Sequence, residues 1–247
     1  MKSILLLVYL SALLIVVPTM ASLSQVDHKP FTDVLTSHVH DGRVDYASLR
    51  KDGRFIPYVN SLSRIKASTL TGNERLAFWI NVYNANTLKM VCDNFPLRSI
   101  RDLAQGKVWD APFISIEGTA YSLNDIENDV LRPLGDSRIH FALVCAARSC
   151  PPLRSEAYEA DRLDKQLYDQ GRLFLSTPML NAFDITTRKA KLSHVFEWYL
   201  ADFGRNKEQL IRNISMHAPD AVRVDLHDHA KQWTIEYLDY DWSLNGK

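Results

Sequence analysis

ERLAFWINVYNANTLKMVCDNF, residues 74–95, is the stretch that most narrows what this chain can become. It holds neither Pro nor Gly, and apolar residues at 76, 80, 83, 88 and 91 recur at helical spacing. Thr71 followed three residues on by Glu74 has the form of a capping box, and Pro96 supplies a stop. The spacing therefore predicts a long amphipathic helix, roughly 30 Å at about 1.5 Å per residue, around which the remaining elements must pack. Asn81 and Asn84 are unusual inside it. Asn is a mediocre helix former, and a buried amide needs partners. Two readings stand: core amides bonded to nearby backbone, or amides lining a polar cleft beside Tyr83.

Shorter elements flank this helix. FTDVLTSHV (31–39) and residues 54–62 carry helical periodicity. WDAPFISI and TAYS flank Glu117-Gly118, a hairpin signal. Ser122 or Asn124 caps a short helix bearing Asp125, Glu127 and Arg132, closed by Pro133. Residues 138–145 form an apolar run of strand length, followed by the loop AARSCPP and a helix beginning at Ser155. Residues 182–192 suggest a second hairpin, 195–203 and 207–216 helices, and 235–244 a late strand or extended tail. Helices mixed with short, mostly antiparallel strands predict an α+β fold, mostly helical, in a single domain.

The N-terminus reads as a separate signal. Lys2 precedes an unbroken, mostly apolar run over residues 4–17; Pro18 breaks it, and Thr19-Met20-Ala21 places small residues where a signal peptidase cuts. The run is shorter than the roughly 18 apolar residues that would suggest a membrane anchor. Cleavage after Ala21 would leave residues 22–247 as a secreted or periplasmic domain with no membrane attachment. Its 28 basic residues face 29 acidic ones, and no basic patch is interleaved with aromatics, so nucleic acid is not an expected partner. Ten Tyr, ten Phe and five Trp point to an aromatic core or an aromatic-lined cleft.

Six stretches resemble, in order, one known family: VDYASL (44–49), AFWINVYNANTLKM (77–90), YSLNDIENDVLRP (121–133), RIHFALVCAARSCPPLRSEAY (138–158), LSHVFEWYLADF (192–203) and YDWSLN (240–245). The family is that catalogued as domain of unknown function 547. The resemblance implies an exported bacterial α+β domain, found in some plant proteins as a fused module. One departure is Asn128, where the family often has His after Ile-Glu, so no role is carried to that side chain. Cys145 is given no chemistry on this ground.

The chemistry must be argued from the residues. Export implies a compartment in which disulfides form, and three cysteines, Cys92, Cys145 and Cys150, leave at least one unpaired within the chain. Cys150 has three readings: a nucleophile, half of a bond to Cys145, or a packed thiol. A nucleophile needs its thiolate, and therefore a base or a positive environment. Arg148 and Arg154 flank Cys150, a helix start is expected at Ser155, His140 precedes it, and Glu127 could orient that histidine. The order Glu…His…Cys resembles a circularly permuted papain-like arrangement. A strand from His140 to Cys145 would span roughly 16 Å at about 3.3 Å per residue, and the chain would then have to double back. If it cannot, His194 is the substitute base. In this reading Asn81, Tyr83 and Asn84 line the cleft and Arg132 or Arg148 holds a substrate carboxylate. The expected activity is acyl transfer or hydrolysis on a small peptide-like or γ-glutamyl substrate, glutathione-like thiols included, with no cofactor and no metal. The pairs His38/His40 and His227/His229 lack a third ligand at a diagnostic spacing. The alternative is a non-catalytic ligand- or protein-binding module in which Cys150 only packs.

Overall fold

The central helix runs from Gly72 to Asp93, and every residue from Leu76 to Leu88 is buried. It is thus surrounded by protein on all sides rather than amphipathic, which is why polar Asn81, Asn84, Asn86 and Thr87 lie inside it. The computed structural model describes residues 26–247, and the expected signal peptide, residues 1–21, lies outside the described residues. Thr71 is the N-cap as expected, but its side chain makes no capping bond, so the capping box does not form.

Helix Phe55–Leu62 packs against both helix Lys29–His38 and the central helix. Phe31 stacks on Tyr58 with ring centroids 4.7 Å apart. Strands β1 (Val39–His40) and β2 (Arg43–Val44) form a small hairpin whose turn, Asp41-Gly42, has positive φ at both residues. Strands β3 (Ile114–Ile116) and β4 (Thr119–Tyr121) pair as a second hairpin through Glu117-Gly118, again with both φ positive, as a two-residue turn of this hand requires.

A second core gathers Phe141, Phe174, Phe196 and Phe203 between helices Leu163–Ser176 and Lys207–Ile214 and a three-stranded sheet. That sheet has order β5 (Ala182–Asp184), β6 (Lys189–Leu192), β7 (Thr234–Tyr237). The pair β5–β6 is antiparallel, whereas β6–β7 is parallel. The architecture is α+β, mostly helical with small sheets. Among the described residues no helix is long and apolar enough to cross a membrane.

Three expectations change. The run 138–145 is not a strand: Ile139–Ala142 is one helical turn, and the chain is extended only from Leu143. The helix expected from Ser155 begins at Leu163, so no helix N-terminus stands beside Cys150. Residues 195–203 are two single turns, Val195–Trp198 and Leu200–Phe203, separated at Tyr199. The first change matters most, because a helical turn shortens the path from His140 to the cysteines and removes the need to double back.

Candidate functional site

The turn Ile139–Ala142 lies where the two cores meet. Ile139 and Ala142 belong to the first core and Phe141 to the second, which leaves His140 buried at the junction. It opens on a cavity of about 250 Å³. The walls are Tyr83 from the central helix, Glu127, His140, Cys145 and Cys150, the aromatic pair Trp198 and Tyr199, and Tyr240 and Trp242 from the C-terminal segment.

Glu127 reaches this wall from a π-helical turn, Ile126–Leu131, a geometry that often accompanies function. The turn is launched by Ser122, whose hydroxyl accepts from Asp125 N–H while the Asp125 carboxylate accepts from Ser122 N–H. Burial pushes the Glu127 carboxyl above its ordinary range, against the hydrogen bonds of the Tyr199 and Tyr83 hydroxyls. His140 is pushed the other way, down to about 4, because burial disfavours the imidazolium more than Asp202 restores it. The neutral ring donates from Nε2 to Asp202 Oδ2 at 2.7 Å, leaving Nδ1 facing Glu127 Oε1 at 3.8 Å. Tyr199 stacks on the imidazole at 3.9 Å.

Asp202, not Glu127, is therefore the carboxylate that orients His140. It is fixed by Arg132, whose Nε and Nη2 donate to the two carboxylate oxygens at 2.7 and 2.9 Å and hold its carboxyl below the usual range. Arg132 also donates to Asn128 Oδ1. Its donors are committed to the protein, and it is not on the cavity wall.

The sulfur chemistry is set by a covalent bond. Cys145 and Cys150 form a disulfide, so of the three readings of Cys150 this structure holds the second. The connecting loop passes through Ala146 at φ 62°. Cys150 Sγ accepts Cys145 N–H at 3.0 Å, and the Tyr240 hydroxyl lies 3.3 Å from Cys150 Sγ and 3.2 Å from Cys145 Sγ. Cys92 is buried and free, its thiol pushed up to about 12 by burial.

Of the residues singled out in the sequence, Cys150, His140, Glu127 and Tyr83 meet at one cavity. Asn81 and Asn84 do not reach it. Asn81 donates to Tyr158 O and accepts Tyr158 N–H; Asn84 donates to Ala142 O and accepts Val144 N–H. Each amide clamps one non-helical segment to the central helix, and Asn84 thereby fixes the segment that follows His140. Arg148 lies on the opposite side of the disulfide loop, in a separate groove. His194 Nδ1 donates to the Glu197 carboxylate and its ring stacks on Trp198, off the cavity wall. His38 pairs with Asp52, His227 with Asp228 and His229 with Asp225.

Sequence reasoning missed Asp202, Tyr199 and Tyr240. The signal for the first two was the helical spacing of YLAD in 199–202; for Tyr240 it was YDWSLN, a polar-aromatic stretch too rich in aromatics for a free tail. No curated protein and no solved structure matches the chain. Residues 67–175 match the model of a family described as "Protein of unknown function, DUF547", a span that carries Tyr83, Glu127, His140 and both bonded cysteines. That match spans the central helix and the disulfide loop, and over residues 67–175 the chain is similar to the domain of unknown function 547 family.

Proposed function

We propose that the cavity is the active site of an exported thiol-dependent enzyme, performing acyl transfer or hydrolysis on a small peptide-like or γ-glutamyl substrate. Cys150 is the nucleophile once a thiol has reduced its bond to Cys145. The observation that carries this reading is the pair of donors already on its sulfur, Cys145 N–H at 3.0 Å and the Tyr240 hydroxyl at 3.3 Å. Donors to sulfur favour the thiolate, as a base or a cation would. The volume suits a small acyl group, and aromatic side chains make up much of the wall.

In the proposed reaction the Cys150 thiolate adds to the substrate carbonyl carbon, and the π pair moves to oxygen. The C–N bond then breaks, and the amine leaves with a proton from Glu127, whose hold on that proton burial strengthens. Water or a second amine attacks the thioester, its proton returns to the carboxylate, and the thiolate is released. His140, locked by Asp202, presents Nδ1 on the Glu127 side and positions that carboxyl through both steps. Export rests on the leader read in residues 1–21.

A second reading is favoured by the disulfide itself, which leaves no thiol on the wall: a binding module whose pocket the bond braces. One experiment separates the two. The chain, reduced with a dithiol reagent, is incubated with γ-glutamyl anilides and acyl thioesters. The enzyme reading expects turnover, an acyl group trapped on Cys150 by mass spectrometry, and loss of both in Cys150→Ala. Equal turnover in Cys150→Ala, or ligand retained without conversion, would overturn it in favour of the binding module.

A further inference from the structure

The loop carrying Cys150 has two faces. One is the cavity wall. The other borders a groove of about 130 Å³ between the β1–β2 turn and the C-terminal segment, with Arg43, Arg148, Asp41 and Asp241 around Cys150. The loop is fixed from both sides. A Cβ at Gly42 would come within 2.5 Å of Pro152 Cβ, so the turn can lie this close only as glycine. Arg148 N–H donates to Ser243 O at 2.8 Å and Ser149 N–H to Asp241 O at 3.2 Å, which tie the segment to the loop.

The groove's charges are unusual. The guanidinium groups of Arg43 and Arg148 make no hydrogen bond or ion pair among the described residues, unlike Arg132 and Arg138. Two open guanidinium forks beside two carboxylates match a zwitterion: a carboxylate for the arginines, an ammonium for Asp41 and Asp241. The Asp241 carboxylate already accepts Ser243 N–H and hydroxyl at 2.9 and 2.6 Å, and its charge acts on Arg43 and Arg148 without a hydrogen bond to either, so their N–H donors stay open. On the cavity side Tyr240 stands over both sulfurs, whereas the groove is walled by Cys150 alone of the pair.

We propose that this groove binds a low-molecular-weight thiol bearing an amino-carboxylate and delivers it to Cys150, so that the disulfide is opened from the face opposite the cavity. The incoming thiolate bonds to Cys150 Sγ; the bond to Cys145 breaks, and Cys145 leaves as a thiolate that takes up a proton. A second thiol attacks the outer sulfur of the mixed disulfide, releasing Cys150 and a small-molecule disulfide. Two thiols are oxidised and one protein disulfide is reduced. The proposal shares with the preceding one only the opening of this bond, and it is tested without any acyl-transfer assay.

The test measures the rate of disulfide opening, by labelling of released thiols, with cysteine, mercaptoacetate, 2-mercaptoethanol and cysteamine. Replacing both arginines (Arg43→Gln with Arg148→Gln) is expected to slow cysteine and mercaptoacetate about tenfold, the worth of one lost charge-assisted contact, and to leave 2-mercaptoethanol unchanged. In the unaltered chain, added salt is expected to cut the mercaptoacetate rate relative to 2-mercaptoethanol. Rapid alkylation and trypsin, which cuts after Arg148 and so separates the two cysteines, should place the mixed disulfide on Cys150. An equal fall for all four thiols, no fall at all, a mixed disulfide on Cys145, or free thiols at both positions in the air-oxidised chain would each overturn the proposal.

Discussion

The central helix and the cavity beside it both bury polar side chains, but to opposite ends. Asn81 and Asn84 are almost wholly inaccessible, and each spends one donor and one acceptor on a single backbone segment. Glu127 and His140 are as deeply buried, yet they are ionisable, lie on a cavity wall, and have pKa values moved in opposite directions by the same burial. Neutral amides can be satisfied completely and act as mortar. Ionisable groups at a cavity retain an unmet demand, and groups whose environments push their titrations apart are those suited to passing a proton.

The sharpest way to break this comparison is a pair of substitutions. Glu127→Gln is expected to lower turnover about 10²-fold or more while leaving thermal stability close to that of the parent. Asn84→Ala would leave Val144 N–H and Ala142 C=O without their buried partner and is expected to cost about 2–4 kcal/mol in chemical denaturation. If instead Glu127→Gln unfolds the chain while Asn84→Ala leaves it stable, the division between mortar and chemistry is wrong.

Acid titration probes the buried ionisable groups and leaves the amides untouched, since amides do not titrate. His28, His140 and His217 all fall to about 4 from an ordinary 6.5, through burial. Above pH 6.5 these imidazoles are neutral folded or unfolded, and their contribution is fully present. Between 6.5 and about 4 the unfolded rings take up protons that the folded ones refuse, so stability falls as acid is added, by at most about 3 kcal/mol for each. Glu127 runs in the opposite sense, since its proton is held more tightly in the folded chain. Melting curves across this window should show a net decline on acidification, shallower in His140→Gln.

The smallest effect concerns caps. Ser122→Ala removes a formed capping box at the launch of the Glu127 turn and should cost about 1 kcal/mol. Thr71→Ala removes a side chain that caps nothing, and its melting temperature should shift by no more than about 0.5 kcal/mol implies.

Much of the fold was legible from residue pattern. The central helix, the hairpin through Glu117-Gly118 and the meeting of Glu127, His140 and Cys150 follow from periodicity, from a glycine turn and from motif order, whereas the hairpin through Asp41-Gly42 was not read. The failures share a cause. RIHFALVC is apolar throughout, and such a run carries no period by which to tell helix from strand. Residues 155–162 have helical composition, but their backbone is claimed by distant side chains. Ala157 N–H donates to Thr32 Oγ1, Tyr158 N–H to Asn81 and Glu159 N–H to Gln166. Those bonds replace the ladder a local reading expects. Asp202 was illegible for the same reason, its partners Arg132 and His140 lying 70 and 62 residues away.

The aromatic cover over the disulfide has a consequence for the order in which the chain is made. Tyr240 follows Cys145 by 95 residues and Cys150 by 90. Both sulfurs leave the ribosome long before the ring that will stand over them, and during that interval they are open to any partner in their surroundings. Only when Trp242 has been added does the wall close, with Ser99 Oγ donating to its carbonyl and Leu244 N–H reaching Arg98 O. A chain stalled or clipped before that point would keep both cysteines but lack their cover, so intact and truncated copies should differ in how readily their sulfurs cross-link during expression.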